Sequence, residues 1–497
     1  WPDGTVAARY GFIHALYQEV LYNRVSVGRR VRLHGRIGTR LEMGYGAQAR
    51  EIAAELAMHC VRGRDAQRAS QYLWEAGENA LRRSAYPEAI THLMQGSEVL
   101  ASLPQSAERM QHELRLCTAL GPALMAMKGY AAPEVEHCYN QARTLCQQIG
   151  ATPQLFPVLN GLSSYYFLRA EYQTACELAD QLRVIAQSEQ DPALLRQAYL
   201  TLGINVGWLG EFNAAAAYLE QSLAIPEPQP SSSPAFSYRR APRIAGLSFL
   251  ALTLWHLGYP DQALHHIEAS CTRAEALEHP FSRAYALGWA LRVHQYRREV
   301  HAAQQLAEVV IDLATAHGFP HWLAGARVVQ GWTLVEQGQH AAGLAQIRQG
   351  MSAYQALGAE VARTWCLCLL AECSRKAGHS EEAWTALTEA LTRVTTTRER
   401  TWEAELYRLK GELWLTDAAA HQTEVEACFA RALDLARGQQ AKSLELRATL
   451  RLSRLWQQQG KHVEARRLLT PIYGWFTEGF NTADLQEARA LLDELGE

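Results

Sequence analysis

The sequence predicts an all-α chain of about ten antiparallel helix pairs, with a period near 40 residues. Three observations carry that prediction. Alanines that open new apolar stripes stand at Ala175, Ala215, Ala263, Ala303 and Ala383, with Gly343 in the same series. Their spacing is 40 throughout, apart from the 48 between Ala215 and Ala263. Upstream of each turn runs an apolar stretch with a small residue in its middle, as at Leu202-Gly203, Leu250-Ala251 and Leu370-Ala371. Between the two stretches lies a short polar turn, as in LGEFN, LGYPD, AGHSE and QGKHV. Antiparallel helices joined this tightly need a small residue on each partner so that the backbones can meet. Glycine at the end of the first helix accepts the left-handed cap, and Pro260 opens the next helix, where its missing N–H is no loss.

Taken in order, residues 10–24, 28–43 and 47–62 fit three amphipathic helices outside the repeat. Arg29, Arg32, Arg36 and Arg40 fall on one face of the second, suited to phosphate or to an acidic partner. Residues 1–65 therefore form a separate N-terminal segment, and 66–480 the repeat array. Its weakest pairs lie near 107–146 and 403–436, where Val135 and Val425 replace the alanine. Residues 225–243 read IPEPQPSSSPAFSYRRAPR, with five prolines between 226 and 242, a density no helix survives. This loop is either a neutral insertion or a flap over a groove, with Phe236, Tyr238, Arg239 and Arg240 as its contact residues. The last segment, 481–497, reads as a capping helix, because a terminal repeat has no neighbour to cover it.

Composition narrows the function. Apolar residues are 48% and charged residues 20%, with net charge −3, so nothing draws the whole chain to nucleic acid or membrane. The absence of a long apolar run or a signal peptide, together with ten scattered cysteines, predicts a cytoplasmic chain. No phosphate loop, HExxH, GxSxG or paired CxxC occurs. Cys366, Cys368 and Cys373 share one helix without the four convergent ligands zinc requires, and His317 and His321 flank a helix junction. No metal site and no catalytic residue is expected. An enzyme would need a cluster of strongly shifted titrating groups on one wall. First helices of the pairs should instead line a concave binding face, carrying Asn160, Phe167, Trp255, Arg292, Trp332, Glu372, Arg375, Arg408, Glu412 and Arg454. The expected ligand is a protein, a peptide or a small-molecule effector.

The pair pattern resembles the tetratricopeptide repeat. Leu202, Gly203, Gly210, Phe212, Ala215 and Ser222 stand where that family places its large, small, turn, aromatic and small positions. The resemblance implies a right-handed superhelix, here with helices lengthened beyond the usual period of about 34. A second resemblance lies at the N-terminus. RYGFIHALYQEVLYNRV followed by RRVRLHGRIGTRLE is similar to the end of the winged-helix domain in STAND-type signal-transduction ATPases. That superfamily includes the maltose-regulon activators, immune-receptor ATPases, and bacterial regulators fused to cyclase, kinase or DNA-binding domains. The likeness to the bacterial regulators extends to PIYGWFTEGFNTADLQEA at 471–488. His14 matches the family histidine that contacts the nucleotide phosphate, while Ala15 stands where the family has aspartate. The resemblance implies a sensor arm that controls an ATPase domain within the same protein, which would hold ATP or ADP and oligomerise when active. This chain itself would carry no cofactor. The alternative is a stand-alone peptide-binding scaffold, like a co-chaperone adaptor.

Overall fold

The computed structural model describes residues 2–5, 15–129, 132–150, 152–226, 242–415 and 418–496. Their regular structure is helical, and no strand occurs among the described residues. Two compact units result, one from Trp1–Met127 and Pro133–Val158, the other from Lys128–Ala132, Leu159–Ser232 and Arg239–Glu497.

Unit 1 begins with α1 (Ala15–Arg24), α2 (Val27–Tyr45) and α3 (Ala53–Arg62). It continues with the pairs α4 (Ala66–Arg82) and α5 (Tyr86–Ala101), then α6 (Ala107–Lys128) and α7 (Pro133–Ile149). Leu41, Leu56, Ala57, Cys60, Tyr72 and Leu73 share one core, so α2 and α3 pack continuously onto α4 across residue 65. Arg29, Arg32 and Arg36 are exposed, and Arg40 pairs with Asp3.

The next helices are α8 (Thr152–Leu168), which enters unit 2 at Leu159, and α9 (Tyr172–Glu189). Then come α10 (Pro192–Trp208), α11 (Phe212–Ala224), α12 (Pro242–Leu257) and α13 (Pro260–Ala276). After them run α14 (Pro280–Tyr296), α15 (Val300–His317), α16 (Pro320–Glu336) and α17 (His340–Ala356). Next are α18 (Arg363–Lys376), α19 (Ser380–Thr397), α20 (Glu403–Trp414) and α21 (Ala418–Gly438). The last are α22 (Lys442–Gln458), α23 (His462–Tyr473) and α24 (Ala483–Glu494). Pro242 opens α12, so the helix resumes inside the predicted loop and shortens it at that end. A proline is tolerated there because the first turn has no intrahelical acceptor for its N–H. Phe236, Tyr238, Arg239 and Arg240 lie outside the described residues, as does His14.

The period has a local cause. Ala175, Ala215, Ala263, Ala303, Ala383 and Ala465 are each the fourth residue of a second helix, and each is fully buried. The preceding turns place Ala170, Gly210, Gly258, Arg298, Gly378 and Gly460 at φ between 60° and 94°. This left-handed cap ends the first helix of each pair and reverses the chain.

The tightest pair is α16 with α17. A Cβ on Gly331 would lie 2.5 Å from the Gly343 carbonyl oxygen and 2.8 Å from the Ile347 amide nitrogen. A Cβ on Gly343 would meet the Gly331 carbonyl oxygen at 2.5 Å. That close backbone approach explains why Gly343 replaces the alanine of the series. Gly331→Val should therefore destabilise by about 1–3 kcal/mol, since both helices must part. Gly438→Ala, where an added Cβ meets nothing within 4 Å, should be neutral or slightly stabilising, and urea titration of the two variants beside the parent reads both effects.

Unit 2 also winds back onto itself. Glu360 and Val361 donate their amides to the Leu168 carbonyl, at 2.8 and 3.0 Å. Arg400 donates its amide to the Trp208 carbonyl at 3.0 Å. The Ser443 hydroxyl donates to the Trp255 carbonyl at 2.5 Å, and Arg447 donates to the Tyr296 carbonyl at 2.6 Å. Leu168, Trp208 and Trp255 stand in the last turns of the first helices of three successive pairs; residues 360, 400 and 443 stand at the start of pairs five further on. At the lower end Glu478 accepts from the amides of Asp261 and Gln262, both at 2.9 Å, and so caps α13 from outside.

Candidate functional site

The winding closes the inner face of unit 2 and decides what the groove candidates do. Asn160 accepts from Thr201 at 3.0 Å and from Gln197 at 3.2 Å, tying neighbouring repeats together. Phe167 sits edge-on to Tyr172, Trp208 and Phe249. The Arg292 guanidinium lies between two indoles, 4.8 Å from Trp289 and 4.3 Å from Trp365. Trp255 is 2% exposed, with the Arg447 guanidinium 4.8 Å from its ring centre. Arg454 lies away from these, on the partly exposed pair it makes with Glu494 at 2.5 Å. The remaining five, Trp332, Glu372, Arg375, Arg408 and Glu412, line one cavity of about 60 Å³.

Charge organises that cavity. Arg408 on α20 binds Glu405 at 2.8 Å and Glu412 at 2.5 Å, one turn to either side. Glu405 reaches Arg447 of α22 at 3.6 Å, and Arg447 reaches Asp484 of α24 at 2.8 Å. Asp484 meets Arg298, in the left-handed turn after α14, at 3.2 Å. Arg298 meets Glu487 at 3.5 Å, Glu487 meets Arg451 at 2.8 Å, and Arg451 returns to Glu412 at 2.6 Å. Eight side chains of alternating sign thus form a closed ring. Four more charges hang from it. Arg375 binds Glu412 at 3.0 Å, and Lys376 sits between Glu336 and Glu372. The lining holds six cations and six carboxylates, with Trp332, Gln295 and Leu450 as its uncharged walls.

The electrostatics show what the cluster can do. Burial alone would push Glu372, Glu412 and Asp484 up. The cations around them outweigh it: Lys376 and Arg408 at Glu372, Arg408 and Arg451 at Glu412, Arg447 and Arg298 at Asp484. All three carboxyls end below their ordinary values. Burial likewise opposes the charge on Arg408, Arg298 and Lys376, but the carboxylates hold each above its usual value. Every one of these shifts locks a group in its charged form. A general acid or base needs the opposite, a group poised near the working pH. Burial also pushes the thiol of Cys366 up to about 12 and those of Cys368 and Cys373 well above the usual range, which leaves no ready thiolate. The arrangement suits binding rather than bond-making.

Asp484, Glu487, Arg298, Arg447, Arg451 and Glu405 escape the repeat-position rule that finds Arg408 and Glu412. Asp484 and Glu487 stand on α24, whose other face lays Leu485, Ala488 and Leu491 over the last pair, and Arg298 stands in a turn. The available signal was the spacing of Glu405, Arg408 and Glu412 against Arg447 and Arg451, which puts opposite charges on facing sides of two helices.

Fold and site together define a tetratricopeptide-like helical-repeat protein with an ion-paired interior. No protein-family model matches the chain. An uncharacterized protein of Rhizobium meliloti (strain 1021) is 25% identical over 443 residues, 88% of this chain, and the chain spans 43% of that relative's length. Among solved structures, a Rap protein complexed with Competence and Sporulation Factor aligns with TM-score 0.55 at 12% identity, covering 74% of this chain and 98% of that one. The APC/C hetero-tetramer Cut9–Hcn1 aligns with TM-score 0.51 at 13% identity, covering 97% and 95%. A STAND protein with a tetratricopeptide repeat sensor from Pyrococcus horikoshii aligns with TM-score 0.39 at 13% identity, covering 81% and 56%. At these identities the likeness shows the fold. No described helix is long and apolar enough to cross a membrane.

Proposed function

We propose that the chain is the effector-sensing arm of a STAND-type signal-transduction regulator, with the interior of unit 2 as its sensing element. One observation carries the reading. The ion ring ties the turn after α14 to α20, α22 and α24, so whatever enters the cavity acts on elements up to 189 residues apart in sequence. A ligand that binds one winding better than another shifts the balance between them by its difference in affinity. The matched relative's length beyond the aligned segment is in keeping with an output module in that protein. A nucleotide-binding domain of the same protein would hold ATP or ADP and would meet the exposed arginines of α2. The isolated chain should neither bind nor hydrolyse ATP. Turnover by the purified chain above a heat-inactivated control would sink the reading.

The second reading, a stand-alone peptide-binding scaffold, draws on the fold shared with Rap and Cut9, both solved in complexes. The two readings part on nucleotide control. In the natural full-length protein, a ring variant such as Arg298→Gln should change ATP turnover for a sensor. For a scaffold it should change only partner binding.

A further inference from the structure

We propose that the ionic cavity of unit 2 is a receptor for a small free α-amino acid, of the size of glycine or alanine, as its volume of about 60 Å³ requires. The carboxylate would bind Arg375 and the ammonium Glu336 and Glu372, with the α-carbon toward Trp332. This rests on the sensor reading and names its effector class.

Charge balance is the first argument. With six cations and six carboxylates already paired, a lone anion or cation would leave one buried charge uncompensated. A zwitterion brings one of each and leaves the balance intact. The second argument is where spare capacity lies. The eight-membered ring closes on itself, whereas among the described residues Arg375 has a single carboxylate partner and its buried Nε has no hydrogen-bond acceptor. Among the described residues, Glu336 and Glu372 share only the Lys376 ammonium as a bridging donor, and a carboxylate offers about four acceptor sites. Glu372 and Arg375 stand three residues apart on one face of α18, the close spacing that groups on a single α-carbon require. The third argument is access. Arg298, Arg375, Arg451 and Glu487 keep roughly a quarter to a third of their side-chain surface exposed and form the mouth, while Trp332 is 2% exposed behind them.

The test is calorimetric titration of the whole chain with glycine, L-alanine and L-serine. For alanine the matched probes are ethylamine, which lacks the carboxylate, and propionate, which lacks the ammonium. At least one amino acid should bind, and each of its one-charge analogues should bind about tenfold or more weakly, as loss of a charge-assisted contact implies. Arg375→Gln and Glu336→Gln should each weaken binding by a similar factor; both sit at the partly exposed end, so the fold should persist by circular dichroism. An analogue binding as tightly as its parent, or binding unchanged in both variants, overturns the proposal. If the amino acids are silent but a dicarboxylate or peptide binds in an Arg375-dependent way, the amino-acid assignment falls and the sensor reading stands. If no solute binds in an Arg375-dependent way, both fall.

Discussion

Replacing Arg408 with methionine should destabilise unit 2 by about 3–5 kcal/mol, the usual penalty for removing one partner from a buried ion cluster. The reason lies in what stays behind. Glu405 and Glu412 are 5% and 7% exposed, and Arg408 is the cation that binds both. Methionine fills much of the volume, so lost packing contributes little and the stranded carboxylates dominate. Arg447 would still face Glu405, at 3.6 Å, and Arg451 and Arg375 would still face Glu412, which places the loss within that range rather than above it. The effect should survive 1 M salt, because buried pairs are screened far less than exposed ones. Arg454→Ala, which breaks the outer pair with Glu494, should leave the urea midpoint unchanged. If Arg408→Met behaved like Arg454→Ala, the ring would be a solvated surface network and the closed interior would be wrong.

The fold was largely legible because helix pairing is a local event. An alanine at the fourth position of a second helix and a left-handed residue in the turn before it recur along most of the array, commonly 40 residues apart, and both leave a mark in the sequence. The winding left none. Its acceptors at Leu168, Trp208 and Trp255 are backbone carbonyls, which every residue carries, and its donors at Glu360, Val361 and Arg400 are backbone amides. Nothing in a single sequence marks that the pair beginning near 360 meets the one ending at 168. The site was half legible for the same reason. Charges on first helices, such as Arg408 and Glu412, follow from repeat position. Asp484 and Arg298 do not, because each joins the ring only once the winding brings α24 to the turn after α14. Polar pairs one repeat apart, such as Asn160 with Thr201 and Ser163 with Asn205, could have been read from their spacing of 41 and 42 residues.

Glu399 should make unit 2 less stable as the solution becomes more alkaline, and Glu399→Gln should remove that dependence. The side chain is 1% exposed in the turn between α19 and α20. It accepts from the Thr364 hydroxyl at 2.7 Å and lies 3.5 Å from the Tyr172 hydroxyl. Arg393 of α19 and Arg292 of α14 act on it, and it acts in turn on Tyr296 and Cys366. Burial pushes its carboxyl up to about 7; the Thr364 bond and the two arginines oppose that without reversing it. The folded value therefore exceeds the unfolded one, near 4.5. Below that lower value both states hold the proton and the group is silent. As the pH rises toward 7, the unfolded chain releases the proton while the folded chain keeps it, so stability falls. The loss amounts to about 3 kcal/mol at about 1.4 kcal/mol per unit, and is complete once the pH passes the folded value. Glu372, Glu412 and Asp484 have the opposite sign: their contribution is present above the ordinary carboxylate range and is lost only as pH falls through their lowered values. Comparing Glu399→Gln with the parent cancels the ring and isolates this one group. The two should match near pH 4, and the variant should be the more stable at pH 8. A variant less stable than the parent at pH 8 would mean that Arg393 and Arg292 hold the folded Glu399 carboxylate below its ordinary value, which would make this turn a second ion cluster rather than a buried acid.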